Sequence, residues 1–491
     1  MAPSKNILVT KIIDSLTSNR DKPFLMSPDE SLNRGQFLAR VAERQEQMKR
    51  AGIEKGARIL IFGGRGVTHW ADVVAVWGMG YVCIPVNYAI EAEPLKVIVD
   101  LVNPSAAVGE GEAAKDLPDN VPVLPEIGDG KATSDFAIEA KTNQEDVSTI
   151  LLTSGSTGRP KGATLPEAVI LGNSVASLEC MGFEADDCLY FSIPFNFTSA
   201  VAYFVATAIT GAALYATEER LIFADLFKAL VKSGATCFGG SPIQLRWIAE
   251  CASQQPIRLR WMMSSGDRLP PEAIAKIRTA LPDTKILTVY GFTEVGGRFC
   301  FLPPEMIDEH AGSVGRPING LSLAVLDDDG KSVPPGQTGE IYVNGDHLMT
   351  AYYNDPETTA ESLLPYGFRS RDLGFIDENG LLYLTGRVDD VFKVNGQKVS
   401  SILIADALMG LNIFADVAVT SYEDSTLGTV PVAFYVLGEG AGYDKKTVLG
   451  HLRDLLPDHS LPRKFCAVES VPRTGSGKIM RAELRKLAES L

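Results

Sequence analysis

Between residues 57 and 86 the chain sets out one strand–helix–strand unit. The apolar run Ala57-Arg58-Ile59-Leu60-Ile61-Phe62 ends in Gly63-Gly64, as a buried strand does. Ala71 to Met79 is helical in pattern and stops at Gly80, and Tyr81-Val82-Cys83-Ile84-Pro85-Val86 is a second apolar run. Repetition of this kind implies a mostly parallel sheet with helices packed on it, which places the chain in the α/β class. The rhythm extends both ways. Leu32 to Ala51 is an amphipathic helix with Phe37, Leu38, Val41 and Met48 on its apolar face, and a strand at Val147 to Leu152 leads into a helix through Ala168 to Cys180. Short strands are expected at Ala212 to Tyr215, Ala235 to Phe238 and Ile286 to Tyr290.

From Gly320 the texture changes. Leu321 to Leu326, Gly339 to Val343 and Leu381 to Leu384 are short strands separated by Asp/Gly turns, which suggests an antiparallel β subdomain. The last hundred residues carry strands at Ala415 to Thr420 and Val430 to Val436 and a helix at Lys446 to Leu455, a small α+β module. A length of 491 residues accommodates this as two to four domains.

Composition removes several classes of function. Sixty-one acidic against 46 basic residues leave a net charge of −15, which argues against a general nucleic-acid or anionic-membrane binder. With 45% hydrophobic and 22% charged residues, wholesale disorder is excluded. The seven cysteines are scattered with no CxxC pair, and the five histidines make no HExxH helix, so neither a disulfide framework nor a zinc site is expected. The opening MAPSKNILVTKIIDSL is too polar for a secretory signal. The longest apolar stretch, Ala200 to Tyr215, is broken by Thr207, Thr210 and Gly211, so no membrane span is expected. The expectation is a cytoplasmic protein, monomer or homodimer.

The chemistry concentrates at Thr153-Ser154-Gly155-Ser156-Thr157-Gly158-Arg159-Pro160-Lys161-Gly162, directly after the apolar strand Ile150-Leu151-Leu152. Glycines let the backbone turn tightly and aim successive N–H groups at one anion. Hydroxyls add donors, and Lys161 adds a charge that matches a polyphosphate. The Walker spacing is absent.

This segment resembles the phosphate-binding loop of the adenylate-forming superfamily, which includes acyl- and aryl-CoA synthetases. The resemblance recurs in order: Tyr290-Gly291-Phe292-Thr293-Glu294, Gly315-Arg316-Pro317, Gly336-Gln337-Thr338-Gly339-Glu340-Ile341, Phe368-Arg369-Ser370-Arg371-Asp372-Leu373-Gly374, Gly386-Arg387-Val388-Asp389-Asp390 and Pro472-Arg473-Thr474-Gly475-Ser476-Gly477-Lys478. It implies a large N-terminal domain over residues 1–386 with two mostly parallel sheets and the antiparallel β subdomain. A hinge at 387–390 and a small mobile α+β domain at 391–491 follow. It also implies a ligase using ATP, Mg²⁺ and coenzyme A, with a small-molecule carboxylate as substrate.

The roles implied by the resemblance make physical sense, because joining a carboxylate to the α-phosphate of ATP is chiefly a problem of charge compensation. Thr153, Ser154, Gly155, Ser156, Thr157, Gly158 and Lys161 would cradle the phosphates. Glu294 would hold Mg²⁺, Thr293 would bond the α-phosphate, and Lys478 would bridge carboxylate and phosphate. Tyr290, Gly291 and Phe292 would bound the adenine on one side and Gly266, Asp267 and Arg268 on the other. Asp372, placed in a turn after Phe368, would accept the ribose hydroxyls with Arg387 beside it. Asp389 takes the hinge position and Gly396 the passage for pantetheine. An acyl pocket is drawn from Phe195, Asn196, Phe197, Ser199, Gly239, Gly240, Gly296 and Gly297, where the glycines leave room and Phe197 and Phe292 flank a ring. Arg298 is the one nearby cation. Such a lining suits an aryl or medium acyl carboxylate better than a short dicarboxylate, which needs a buried positive partner.

Three departures from the family pattern stand out. Asn196 replaces a histidine, Arg371 replaces a glycine beside the ribose-binding aspartate, and Ser401-Ile402-Leu403-Ile404-Ala405 replaces a segment that usually carries glutamates. Arg371 is expected either to touch the nucleotide or to face solvent. Two alternatives remain: transfer of the acyl group to the phosphopantetheine of a carrier protein, and a nucleotide-binding regulator that has lost catalysis.

Overall fold

Fully buried apolar runs become the strands, as parallel strands covered on both faces require. The structure is a computed structural model and describes residues 6–63, 67–109, 112–127, 136, 138, 146–154, 160–217, 223–424, 426–438, 440–473 and 479–491. It divides into two units, residues 1–323 with 343–368, and residues 324–342 with 369–491.

In the first unit, helix α1 (Arg34–Arg50) starts from Asn33, whose side chain accepts from Gln36 N while Gln36 reaches back to it. Strand β1 (Arg58–Gly63), helix α2 (His69–Gly78) and strand β2 (Val82–Asn87) form the strand–helix–strand unit read from the sequence. β1 and β2 pair in parallel, as do β1 with β3 (Ala106–Val108) and β2 with β4 (Val147–Ser154). Strand β5 (Pro160–Pro166) then turns back antiparallel on β4.

Helix α3 (Glu167–Met181) closes at Gly182, which takes a left-handed φ of +58° as the cap requires. Strand β6 (Cys188–Phe191) leads to helix α4 (Thr198–Thr210). α4 is buried on almost every face, which is why its sequence looked like the longest apolar stretch. Trp70 of α2 stacks on Phe204 of α4, with ring centroids 4.4 Å apart. Strands β7 (Ala213–Ala216), β8 (Cys237–Gly240), β9 (Trp261–Ser264) and β10 (Lys285–Tyr290) complete a second parallel set in the order β7-β6-β8-β9-β10.

In the second unit, strands β11 (Gly367–Ile376) and β12 (Leu382–Arg387) are an antiparallel pair. The tight hairpin β13 (Val391–Val394) and β14 (Gln397–Ser400) follows, then helix α5 (Ser401–Met409). Strands β15 (Phe414–Asp424), β16 (Gly428–Leu437) and β17 (Lys464–Ala467) form a three-stranded sheet packed with helices α6 (Lys445–Leu455) and α7 (Arg481–Glu489). The two parallel sheets, the short antiparallel strands and the terminal α+β module are the architecture expected of the sequence.

Candidate active site

β4 and β5 form a hairpin whose last pairs are Thr153 with Lys161 and Ser154 with Pro160. The glycine–hydroxyl run connects them. Gly155, Ser156, Thr157 and Gly158 lie outside the described residues. On its other edge β5 pairs with the short strand Ala351–Tyr352, setting Tyr352 opposite Ala163. That pairing brings the Tyr352 ring to 5.4 Å from the Lys161 ammonium. The Tyr352 hydroxyl donates to Glu294 Oε1 at 2.6 Å, and Met349 N donates to the Glu294 carbonyl at 2.7 Å. Burial and the adjacent carboxylate push the Tyr352 phenol above its ordinary pKa, so it stays a donor.

Glu294 fits the magnesium implied by the sequence. Mg²⁺ takes few protein carboxylates and completes its oxygen shell with phosphate and water. One Glu294 oxygen is engaged by Tyr352, and the other makes no hydrogen bond among the described residues.

Strands β6, β8, β9 and β10 run parallel, so their carboxyl ends lie along one edge, where α/β sheets bind their ligands. From that edge leave the segments bearing Phe195 to Ser199, Gly240, Gly266 to Arg268, and Gly291 to Glu294. Thr198 opens α4 and Thr293 opens a single 3-10 turn (Thr293–Val295), and their hydroxyls meet at 2.7 Å. A Cβ on Gly291 would stand 1.9 Å from the Gly297 carbonyl oxygen, so only glycine lets this loop fold on itself. Asn173, buried in the middle of α3, pins the same loop. Its amide donates to the Val295 carbonyl at 2.7 Å and the Arg298 carbonyl at 2.6 Å, and accepts from Arg298 N at 3.2 Å. Tyr290 is half-buried beside Phe292 and Phe299, while Phe292 stacks on Phe368 at 5.4 Å. Gly266 takes φ +89°, and the Asp267 carboxylate caps Arg268 N at 2.7 Å.

The acyl region differs from expectation in one respect. Gly239 and Gly240 were expected to leave room for substrate, but they make room for protein. A Cβ on Gly239 would meet the Tyr203 hydroxyl at 2.3 Å, and one on Gly240 would meet Phe238 at 2.6 Å and Gln244 at 2.7 Å. Gly296 and Gly297 lie against Val169 and Thr198, at φ +75° and +125°. Phe195 is buried edge-on against His69 (4.3 Å) and Trp70 (5.0 Å), and burial depresses His69 to about 3, which keeps it neutral. Asn196 Oδ1 is buried without a hydrogen-bond partner among the described residues, while Phe197 and Ser199 are half-buried at the start of α4. A cavity of about 960 Å³ opens between Phe62, His69, Tyr88 and Glu112, but none of the sequence-predicted site residues lines it.

In the second unit Asp372 is not in a turn. It lies within β11, opposite Arg387 of β12, and the two side chains pair at 3.1 Å. The strand continues because Ser370 anchors it, donating from Oγ to the Ile341 carbonyl at 2.7 Å and accepting from Asp372 N at 3.0 Å. Between them Arg371 holds φ +61°, the left-handed conformation for which the pattern's glycine is suited. Its Nη2 donates to Asp389 at 2.8 Å, on the 3-10 turn Val388–Asp390. Burial opposes ionisation of Asp389, but Arg371, Arg387 and Arg481 together hold its pKa below the usual carboxylate value. Arg481 of α7 grips the neighbouring Asp390, with Nη2 to Oδ2 at 2.6 Å. Gly396, at φ +81°, is exposed in the turn between β13 and β14, with nothing within 4 Å of a Cβ there. The apolar segment Ser401 to Ala405 opens α5, and Ile404 is fully buried. Lys478 lies outside the described residues.

Three residues that sequence reading passed over are thus central: Tyr352, Thr198 and Asn173. Only Asn173 carried a signal, an amide in the mostly apolar run Ala168 to Ala176. Tyr352 and Thr198 acquire their partners across 58 and 95 residues, and no local pattern marks such contacts.

The sequence profile described as AMP-binding enzyme matches residues 14–353, and that described as AMP-binding enzyme C-terminal domain matches residues 403–478. Among relatives, a 2-succinylbenzoate–CoA ligase of Bacillus cereus is 27% identical over 451 residues, covering 91% of both chains. The same-named enzyme of Bacillus anthracis is 25% identical over 476 residues, covering 96% of both. ATP-bound MatB from Rhodopseudomonas palustris superimposes with a TM-score of 0.89 at 23% identity, over 98% of this chain and 99% of that one. An o-succinylbenzoate CoA synthetase from Bacillus subtilis, in complex with its acyl-adenylate, superimposes with 0.86 at 21% identity, over 99% of both.

Proposed function

The chain belongs to the AMP-binding enzyme family, and from that premise we propose that it is an ATP-dependent acid–thiol ligase. A carboxylate and ATP give an acyl-adenylate and pyrophosphate, and coenzyme A then takes the acyl group and releases AMP. The observation that supports this best is the meeting of Lys161, the Tyr352–Glu294 pair and the Thr198–Thr293 pair within one unit. That is the donor set needed where two negative groups must approach.

The residues divide the work by position. Tyr352 fixes one oxygen of Glu294 and leaves the other directed by that bond. Magnesium, when bound there, neutralises charge on the departing pyrophosphate. Thr198 orients the Thr293 hydroxyl, which donates to the α-phosphate, while Lys161 and the connecting glycine run take the remaining phosphates. Tyr290 and the Gly266–Arg268 bend flank the adenine. Asp372 accepts the ribose hydroxyls, with the Arg387 guanidinium 3.1 Å away. Lys478 bridges the carboxylate and α-phosphate during the first step. The second step needs positioning of a thiolate more than a base, because AMP is already a good leaving group.

Residues 387–390 serve as the hinge in this reading, with 391–491 as the moving domain and Gly396 beside the pantetheine. Coenzyme A is the preferred acceptor. A net charge of −15 disfavours an acidic carrier protein, and Arg473 is paired with Asp416 at 2.7 Å. The substrate is an aryl or medium acyl acid. All seven cysteines are free thiols, which suits the cytoplasm, and no helix among the described residues is long and apolar enough to cross a membrane.

The test is carboxylate-dependent ATP–pyrophosphate exchange over aliphatic, aryl and aryl-propenoic acids, followed by AMP release with coenzyme A or with a panel of holo-carriers. Exchange with at least one acid and turnover with coenzyme A support the reading. Tight ATP binding without exchange for any acid overturns it in favour of a regulator, and loading of carriers without coenzyme A turnover reassigns the acceptor.

A further inference from the structure

Asp389 and Asp390 stand side by side on the 3-10 turn Val388–Asp390, and arginines from different elements hold them. Asp389 is held from β11, by Arg371 at 2.8 Å. Asp390 is held from α7, at the end of the chain. Arg481 meets it with both Nε and Nη2, the latter 2.6 Å from Oδ2. A forked pair of this kind fixes direction as well as distance. Asp390 is buried, with its side chain 8% accessible, so its charge depends on that partner. One helical turn further on, Arg485 Nη2 lies 3.5 Å from the Asp389 carbonyl oxygen. α7 is seated elsewhere, by Leu484 and Ala488 against Ala418, Val432 and Phe434 of the β15–β16 sheet. The arginines therefore add a polar link from that sheet to the turn.

The same helix begins three residues after Lys478. The loop before it leaves at Arg473 and returns at Ile479, which pair as an isolated antiparallel bridge, and Met480 N donates to the Pro472 carbonyl at 2.9 Å. Arg473 ties the outgoing end to Asp416 of β15, at 2.7 and 2.9 Å. Arg481 ties the returning end to the turn 388–390. Adjacent carboxylates of that turn are thus anchored to different elements, Asp389 to a strand that precedes it and Asp390 to the helix that follows the lysine loop. A rotation that keeps both pairs has only ψ of Asp389 and φ of Asp390 in which to occur, because the peptide bond between them is rigid.

We propose that Arg481 is a positioning residue for the adenylation step, which through Asp390 makes the lysine loop and the hinge turn one rigid piece. The inference rests on the ligase and hinge reading above and goes beyond it, because it names the side chain that carries the swing of residues 388–390 to Lys478. Arg481 itself takes no part in the bond-making step. With the pair in place, a torsion at the pivot is delivered to the lysine without slack, and Lys478 meets the carboxylate and the α-phosphate in one geometry. Without it, the loop keeps its tie to Asp416 and loses its tie to the hinge. A misplacement of about 1 Å costs on the order of 10²-fold in rate. That cost falls on the step that uses Lys478. The thiol step, in which Lys478 has no part in the proposed reaction, does not bear it.

The experiment measures both half-reactions with the intact chain: ATP–pyrophosphate exchange for the first, and AMP release from preformed acyl-adenylate with coenzyme A for the second. Arg481→Met should lower kcat for exchange about thirtyfold, with KM for ATP and the rate of the second step each within about twofold of wild type. Arg481→Lys keeps the charge without the fork and should recover part of the exchange rate. A double variant, Arg481→Met with Asp390→Leu, removes the stranded carboxylate, so its denaturant midpoint should return toward wild type while exchange stays low. Recovery of exchange together with stability would show that the pair serves folding alone, and overturns the inference. Equal losses in both half-reactions of Arg481→Met overturn it too, because a ratio read within one variant cancels any misfolded fraction. Either outcome leaves the ligase reading intact. A wild type without exchange on any acid overturns that reading, and with it the step that Arg481 serves.

Discussion

Two charged regions of this molecule are built on opposite terms. At the strand ends of the first unit, Asn196 Oδ1, Tyr203 OH, Ser264 Oγ and both Arg298 Nη atoms are buried with no hydrogen-bond partner among the described residues. Around residues 369–390 of the second unit each arginine has its carboxylate: Arg369 with Glu340, Arg371 with Asp389, Arg387 with Asp372, and Arg481 with Asp390. Buried polar groups are normally satisfied, so the unmatched first region points to a ligand. In the second, each arginine's charge is met by a carboxylate, even though Arg371 Nε and Thr385 Oγ1 make no hydrogen bond among the described residues. The contrast separates polar groups left unmatched from charged groups already met within the protein, of which Asp372 and Arg387 also take the ribose in the proposed reaction.

The strongest test of that contrast removes a receiving group. Glu294→Gln keeps the shape and the Tyr352 contact but removes the charge that would hold a cation. Loss of an electrostatic group of this kind typically costs about 10²–10³-fold in rate, and exchange is expected to fall that far. Exchange unchanged at saturating magnesium would remove Glu294 from the site.

On the other side of the comparison, Asp389→Pro fixes a backbone torsion at the proposed hinge. Exchange should stay close to wild type while transfer to coenzyme A falls by about tenfold or more, as hinge lesions do when a conformational step limits turnover. Equal loss in both half-reactions would show that 387–390 is not where the motion is absorbed.

Asn173→Ala asks whether the receiving region depends on a single buried support. The substitution strands the Val295 and Arg298 carbonyls and the Arg298 N–H, at about 1–3 kcal/mol of stability. Denaturant unfolding should show that loss, and exchange should weaken with it because Thr293 and Glu294 ride on the same loop.

What could be read from the sequence follows the same division. The strands near 58–63, 82–87, 147–154 and 285–290 were legible because a buried parallel strand must be a short apolar run. The glycine run and the Tyr290–Glu294 motif were legible because phosphate chemistry needs particular residue types in close order. Asp372 was misplaced for a local reason. Arg371 looks like an interruption of a turn, yet a single left-handed residue can kink a strand without ending it, and Ser370 carries the strand through. The glycines at 239 and 240 misled because a missing Cβ does not say who fills the gap. Tyr203, Phe238 and Gln244 answer that question only in three dimensions.

Arg371 is the point where the comparison is sharpest and the expected effect smallest. Sequence reading offered nucleotide or solvent as its destination, but the guanidinium goes to Asp389. The pair is partly exposed, with side chains 41% and 22% accessible, so it is worth about 0–1 kcal/mol. An arginine at positive φ costs an amount of similar size, about 1–2 kcal/mol. Arg371→Gly should therefore leave stability near neutral pH within about 1 kcal/mol of wild type, since relief of strain offsets loss of the pair. If the pair restrains the hinge, coenzyme A transfer should rise about two- to fivefold, the rate equivalent of a bond of that strength, and exchange should not change. The sign of the pH dependence gives an independent reading. Asp389 titrates below its unfolded value in the native chain. Its contribution is therefore fully present above the ordinary carboxylate range and is lost as pH falls through the native pKa. The stability difference between wild type and Arg371→Gly should stay constant above about pH 4 and shift against wild type below it. A difference that does not change down to the acid limit would mean that Arg371 holds Asp389 in the structure without holding its charge.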